Sequence, residues 1–346
     1  EFDDSSQMVE EYIARGWTDG LPIIPPTPDL VLRFLTSSGH APTDILATEP
    51  TKGRVITAEK VAVNAVMAGC LPEYFPVVVA AVEAMSEPEF NLHAITASTM
   101  GAAVLVVVSG PAATDLGINS GVSVFGPGHR ANATIGRAIR LVIINATGAI
   151  SGEIDKATLG HAGKYTLCMA EADAASPWEP LHVERGFVEQ ESVVTIFAAL
   201  PGIQVGNHES QTPEGILTSF KDAMFTIGPD QGELIVVLCP EHVGHFNAAG
   251  WSKAQVKQFV FESARRSEDE WRSIGRLIPK DNNGSSRMVP VPAEPDSVNV
   301  LVSGGAAGAW SSIIPLWGGG TNSRSVSKRV RALRDSDQGQ RLEVHR

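Results

Sequence analysis

The chain has 346 residues, 43% of them hydrophobic, and a formal net charge of −12. This composition excludes global disorder, and the acidic balance argues against a nucleic-acid partner, which would need a basic stripe. The length suits one large domain or two of ordinary size.

Residues 5–16 (SSQMVEEYIARG) place Met8, Val9, Tyr12 and Ile13 at helical spacing before a terminal Gly, which predicts a short amphipathic helix. Residues 18–29 (TDGLPIIPPTPD) hold four prolines, which remove donors and fix the backbone. They predict an extended Pro-rich arm whose Leu21, Ile23 and Ile24 need a surface to lie on. Residues 57–70 read as a buried helix with Thr57 as N-cap, and residues 76–88 as a second helix after a Pro break. Uniform β-branched runs at 102–111, 192–200, 232–240 and 297–305 predict strands buried on both faces. Helical patterns at 132–145, 213–225 and 253–267 alternate with them. The expected fold is α/β, with mixed or mostly parallel sheet layers and flanking helices. The strand ends VVSGP, VVLCPEH and LVSGGAAG hint at repeats, but too few identities support one.

Three segments are expected: an N-terminal helix and arm over 1–28, a main body over 29–278 with a sub-boundary near 160, and a remainder over 279–346. The remainder begins in the polar loop 279–297, then a last strand, a Gly-rich stretch and a basic tail. That tail, residues 324–346, reads as a solvated helix and a loose end.

Cys70, Cys168 and Cys239 lie far apart with no C-x-x-C pair, which excludes zinc-ribbon and thioredoxin patterns. So few cysteines fit a reducing compartment. No apolar run reaches spanning length and the acidic start has no signal-like core. The expectation is a cytoplasmic protein with no membrane partner.

The stretch FGPGHRANATIGRAIRL feeds a glycine-rich turn into a helix start. Free amides at such a start favour an anion. Gly126, Gly128, His129, Arg130 and Asn132 are therefore candidate substrate-binding residues, with Arg130 offering a planar fork. Neither a Walker loop nor G-x-G-x-x-G is present, so there is no nicotinamide or flavin signature.

Residues 164–187 gather Cys168, Glu171, Trp178, His182, Glu184 and Arg185. In an extended LHVERGF, His182 and Glu184 would face the same side. A His beside carboxylates suits acid–base work or a metal. Glu171 and His182 are the candidate proton carriers, Cys168 the candidate nucleophile, and Trp178 and Arg185 candidate substrate contacts. His182, His208 and His242 form a candidate divalent-metal set, although no H-E-x-x-H motif supports it. Arg130, Glu171 and His182 are expected to line one cavity.

Together, GWTDGLPIIPPT, KVAVNAVMAGCLPEYFPVV, FGPGHRANATIGRAIRL, SPWEPLHVERGF, PEHVGHFNAAGWSK and SGGAAGAWSSIIPLWGG resemble a bacterial family. Its members occur with, or joined to, a thiol/selenol domain named for its U-G-S-C motif. The resemblance covers most of the chain, which itself lacks that tetrapeptide. Cys70, Arg130, Asn132, Glu171, His182, His208 and His242 fall in family-like phrases. The resemblance implies a thiol or selenol protein as partner.

The sequence therefore supports an enzyme of lyase or hydrolase type, forming a homo-oligomer and acting on a small anionic or polar molecule. The competing reading is a non-catalytic scaffold or partner subunit of a thiol/selenol redox protein.

Overall fold

The computed structural model describes residues 5–229, 232–276, 287–318 and 323–331. Helix α1 (Ser5–Ala14) precedes residues 17–27, which carry neither helix nor strand. Ile23 of this stretch is buried, whereas Leu21 and Ile24 are 43% and 50% exposed. The stretch is pinned by Asp19, which takes a two-bond fork from Arg137, and by Ile24 N–H on the Met67 carbonyl.

After α2 (Pro28–Ser38) comes a hairpin of β1 (Ile45–Glu49) and β2 (Arg54–Thr57), then α3 (Ala58–Ala68) and α4 (Phe75–Met85). The Thr57 hydroxyl caps α3 by accepting from Lys60 N–H. Gly69 ends that helix at φ 88°, a left-handed position that costs glycine little. Helix α4 (FPVVVAAVEAM) is apolar almost all round and is buried almost all round. Next come α5 (Leu92–Ala97), β3 (Ala103–Ser109), α6 (Pro111–Asp115), α7 (Arg130–Thr147), β4 (Cys168–Ala170), α8 (Leu181–Glu184) and β5 (Val193–Ala199).

The chain then enters a second sheet through β6 (Ile203–Gly206), α9 (Pro213–Ile227), β7 (Leu234–Leu238), α10 (Pro240–Ala248) and α11 (Lys253–Ser263). A small excursion follows: β8 (Arg265–Ser267), α12 (Glu268–Ser273) and β9 (Met288–Pro290). The described chain finishes with β10 (Val298–Val302), β11 (Trp310–Pro315) and β12 (Val326–Arg329). The basic tail expected to be helical thus contains a strand at Val326–Arg329, and its residues from 332 onward lie outside the described residues. The expected linker over 279–297 lies outside them up to residue 286.

The first sheet has the order β12-β5-β3-β4 and the second β10-β7-β11-β6. Among the described strands of these two sheets, β3–β4 and β7–β10 pair in parallel and the rest antiparallel, so the sheets are mixed with an antiparallel majority. Each half repeats one scheme: a central strand, a helical crossover to a parallel edge strand, then a strand returning antiparallel on the other side. The scheme is β3-α7-β4-β5 in one half and β7-α10-α11-β10-β11 in the other. VVSGP and VVLCPEH end the two central strands of this scheme, whereas LVSGGAAG ends an edge strand.

Side-chain alternation assigns the layers. Val104, Val106 and Val108 of β3 face a core shared with α3, α4 and α7. Val236 and Leu238 of β7 face a core shared with α9 and α11. Leu105, Val107 and Met169 meet Ile235, Val237 and Leu301 in a third cluster between the sheets. The result is helices, sheet, sheet, helices. Strands covered on both faces explain the uniformly apolar runs. Among the described residues, no helix is long and apolar enough to cross a membrane.

Candidate active site at the strand ends between the sheets

Strands β3 and β4 run in register from Val106↔Cys168 to Val108↔Ala170. One further step brings Ser109 beside Glu171. Val108 and Ala170 face the helical layer, while Val107 and Met169 face the other sheet. By alternation Ser109 and Glu171 project between the sheets.

Both are buried. Oε2 of Glu171 accepts a 2.8 Å bond from Leu181 N–H, and Oε1 lies 3.7 Å from Lys253 Nζ without a hydrogen bond. Burial pushes the carboxyl up to about 7, against the opposing pull of Lys253 and the Leu181 amide. Lys253, in the first turn of α11, is buried too. Its Nζ donates to the Glu179 carbonyl at 2.7 Å and to Glu184 at 3.3 Å. Lys257 also pairs with Glu184. Burial raises the Asp173 carboxyl, with His182 and Lys253 acting against it.

His182 is 1% exposed. Its Nε2 faces the Glu189 carbonyl at 3.3 Å. A carbonyl only accepts, so Nε2 is the donor of this bond, and in the neutral ring Nδ1 has the lone pair. Nδ1 has no partner. Among the described residues, the buried side-chain nitrogens and oxygens lacking a hydrogen bond are Ser109 Oγ, Glu171 Oε1 and His182 Nδ1. All three belong to the end of the β3–β4 pair and the segment that follows it. Each such orphan costs about 1–3 kcal/mol, so buried atoms of this kind call for an explanation.

The extended LHVERGF expected from the sequence is instead the helical turn α8. His182 and Glu184 are therefore about 200° apart around the helix axis. One turns inward and the other toward Lys253 and Lys257.

The second half ends differently. Cys239 caps α10, with Pro240 at the first helical position. Ser311 Oγ accepts from Cys239 N–H at 3.1 Å and bonds His242 Nδ1 at 2.7 Å; His242 Nε2 donates to the Asn207 carbonyl at 3.0 Å. Burial raises the Cys239 thiol, but hydrogen bonding by His242 and Ser311 outweighs it and holds the thiol below its usual range. His242 is shifted up: burial opposes its charge, yet Cys239 and the Asn207 carbonyl favour it. The expected nucleophile, Cys168, has the opposite environment, where burial drives its thiol well above the usual range. Burial likewise takes Cys70 up to about 12. The signal for Cys239 was in CPEH, a Cys at a helix start with His three residues on.

The two strand ends adjoin. Ala172 N–H donates to the Val302 carbonyl at 2.8 Å and Ser303 N–H to the Leu238 carbonyl at 3.1 Å, which sets the ends of β4, β10 and β7 in a row. Ser303 Oγ donates at 2.8 Å to the Ser120 carbonyl and lies 3.3 Å from that of Ala170.

The expected anion loop is placed otherwise. Arg130 is exposed and donates Nε and Nη2 to the Gly69 carbonyl at 3.1 and 3.0 Å, so its fork closes the end of α3. Asn132 is buried, accepts from Asn119 N–H at 2.7 Å and donates to the Asn119 and Cys168 carbonyls. His129 is the extended residue before α7, and Gly128 has φ 112°. Gly126 N–H donates to the Ser123 carbonyl in the same turn. Trp178 Nε1 donates to the Trp251 carbonyl at 2.6 Å. Arg185 ties β10 to the last strand through Asn299 at 2.9 Å and Ser325 at 2.6 Å.

Of the expected metal histidines, His208 stacks edge-on against Trp310 and His242 is held by Ser311 and by Asn207, the residue before His208, whereas His182 lies beside Glu189. Among the described residues, no three His, Cys, Asp or Glu side chains are grouped to hold a metal ion.

Comparisons with protein families, curated proteins and solved structures return no match for this chain.

Proposed function

We propose that the protein is an enzyme of lyase or hydrolase type that moves protons on a small polar molecule, with Glu171 as acid and His182 as base. The observation that supports this most is that Ser109 Oγ, Glu171 Oε1 and His182 Nδ1 are buried without a hydrogen bond, with Ser109 and Glu171 neighbours by strand register. A carboxyl with a midpoint near neutrality holds a proton that it can release at physiological pH. The His182 Nδ1 lone pair can accept one. Lys253, 3.7 Å from Glu171 Oε1, stabilises negative charge that develops beside it, and Ser109 Oγ supplies a bond that orients the substrate. Their burial favours a small substrate.

The test is a mass-spectrometric screen of wild type, Glu171→Gln and His182→Gln against small hydroxy acids, amides and esters. General acid–base groups contribute about 10²–10⁴-fold, so wild-type turnover should fall by that factor in both variants. Equal turnover in wild type and Glu171→Gln would reject the assignment.

A second reading keeps the resemblance to proteins found with thiol or selenol domains. Trp17, Leu21 and Ile24 are each at least 43% exposed along the N-terminal stretch and offer an apolar docking strip. Deleting residues 1–28 and measuring the mass of the assembly by light scattering tests it. An unchanged mass would count against association through this strip.

A further inference from the structure

A second chemically distinctive place lies at the opposite end of β3. His161 Nε2 lies 3.2 Å from the Ala199 carbonyl, and Ala199 pairs with Ala103, the first residue of β3. Beside it is a cavity of about 380 Å³ lined by Asp19, Arg140, Asp155, His161, Lys164 and Tyr165, among others. The volume lies in the range of small-molecule pockets, about 300–1,000 Å³.

Its charges are shared unevenly. Asp155 is buried and takes both Arg140 Nη2 at 3.0 Å and Lys164 Nζ at 2.6 Å. Asp19 is already held in a two-bond fork by Arg137. Arg137 stands outside the lining, and within it Arg140 and Lys164 share Asp155. His161 accepts from Gly163 N–H, and burial, with Lys164 alongside, disfavours its charged form. With Asp19 held by Arg137, Asp155 is the lining carboxylate left to serve two lining cations. The rim is apolar where a surface would normally be polar: Leu159 is 95% exposed and Ile150 39%, and Tyr165 is 52% exposed.

We propose that this cavity binds a small carboxylate with a short hydrocarbon chain, its carboxylate on Arg140 and Lys164 and its chain against Ile150 and Leu159. A cationic floor below an apolar rim matches such a molecule better than inorganic phosphate or a neutral alcohol. The site is separate from Glu171 and stands or falls independently of the activity proposed there.

Calorimetry with hexanoate, acetate, hexan-1-ol and inorganic phosphate tests it on the intact protein. Hexanoate should bind most tightly. Leu159→Ser should weaken hexanoate about three- to tenfold by removing buried methylene contact and leave acetate unchanged. Because Leu159 is exposed, this variant should melt like wild type. Arg140→Gln should weaken both carboxylates at least about tenfold through loss of a charge-assisted bond. The proposal is overturned if hexanoate shows no saturation below about 10 mM, weaker than millimolar ligands of this size. It is also overturned if hexan-1-ol or phosphate binds as tightly, or if Leu159→Ser leaves hexanoate affinity intact.

Discussion

The two halves of this molecule share a strand scheme but finish their parallel strands differently. In the second half the polar groups at the end of β7 close on one another: Ser311 joins Cys239 N–H to His242, and His242 is completed by the Asn207 carbonyl. In the first half, Ser109, Glu171 and His182 each keep one buried polar atom without a partner. A repeated frame makes the difference informative, since burial is similar at both ends. One end satisfies its polar groups internally. The other leaves them unsatisfied, a cost tolerated where something else is to be bound.

The strongest way to break this comparison is to remove the cation that serves the unsatisfied end. Lys253→Met would strand buried Glu171, leave Glu184 to Lys257 and take a bond from the Glu179 carbonyl. Breaking a buried ion pair from one side costs about 3–5 kcal/mol, which urea unfolding should register near pH 8, where Glu171 is charged.

The pH dependence sharpens the contrast further. The Glu171 carboxyl is raised from 4.5 to about 7 in the folded protein. The folded state therefore binds its proton more tightly than the unfolded chain. That stability is fully present below the unfolded value and is lost as pH rises through the folded value, with no further change above it. Moving a titration midpoint tenfold in proton concentration corresponds to about 1.4 kcal/mol, so the loss is on the order of 3 kcal/mol. Glu171→Gln should flatten this slope in denaturation measured from pH 4 to 8. A slope of equal size in the variant would assign it to other groups.

The paired serines give a smaller, cleaner contrast. Ser311→Ala leaves both Cys239 N–H and His242 Nδ1 without their shared partner and should cost about 1–3 kcal/mol. Ser109→Ala removes an oxygen that has no bond to lose, so its stability should change by less than about 0.5 kcal/mol or rise slightly. Equal costs at the two positions would erase the distinction between the halves. The smallest effect is expected at Arg130. Replacing it with Lys keeps the charge at the end of α3 and forfeits one of two bonds from an exposed side chain, a change of about 0.5–1 kcal/mol in thermal melts.

Much of the frame is legible in the chain itself. The β-branched runs became β3, β5, β7 and β10, and the buried helices α3 and α4 followed from spacing, a Thr cap and prolines. What escaped was short or lay in unusual composition. Strand β4 has three residues, too few to show a period, and β11 lies in what read as a Gly-rich stretch after the last strand. The site was half legible. Glu171 and His182 stood out as reactive types in one segment. Ser109 and Lys253 did not, because their roles arise from non-local pairing, the β3–β4 register and the docking of α11; Cys239 had a local signal in CPEH, but the Ser311 bridge that completes it is non-local. Arg130 misled for the complementary reason. A guanidinium beside a glycine-rich turn reads as an anion fork until the fold brings the Gly69 carbonyl to it.

The central claim, that Glu171 holds an exchangeable proton at a site left open for a ligand, is tested most directly by titrating its side-chain carboxyl carbon by NMR in ¹³C-labelled protein, assigned by the Glu171→Gln spectrum. A midpoint of about 7 is expected, moving when Lys253 is replaced. A midpoint between about 4 and 5, the ordinary glutamate range, with no response to Lys253, would contradict it.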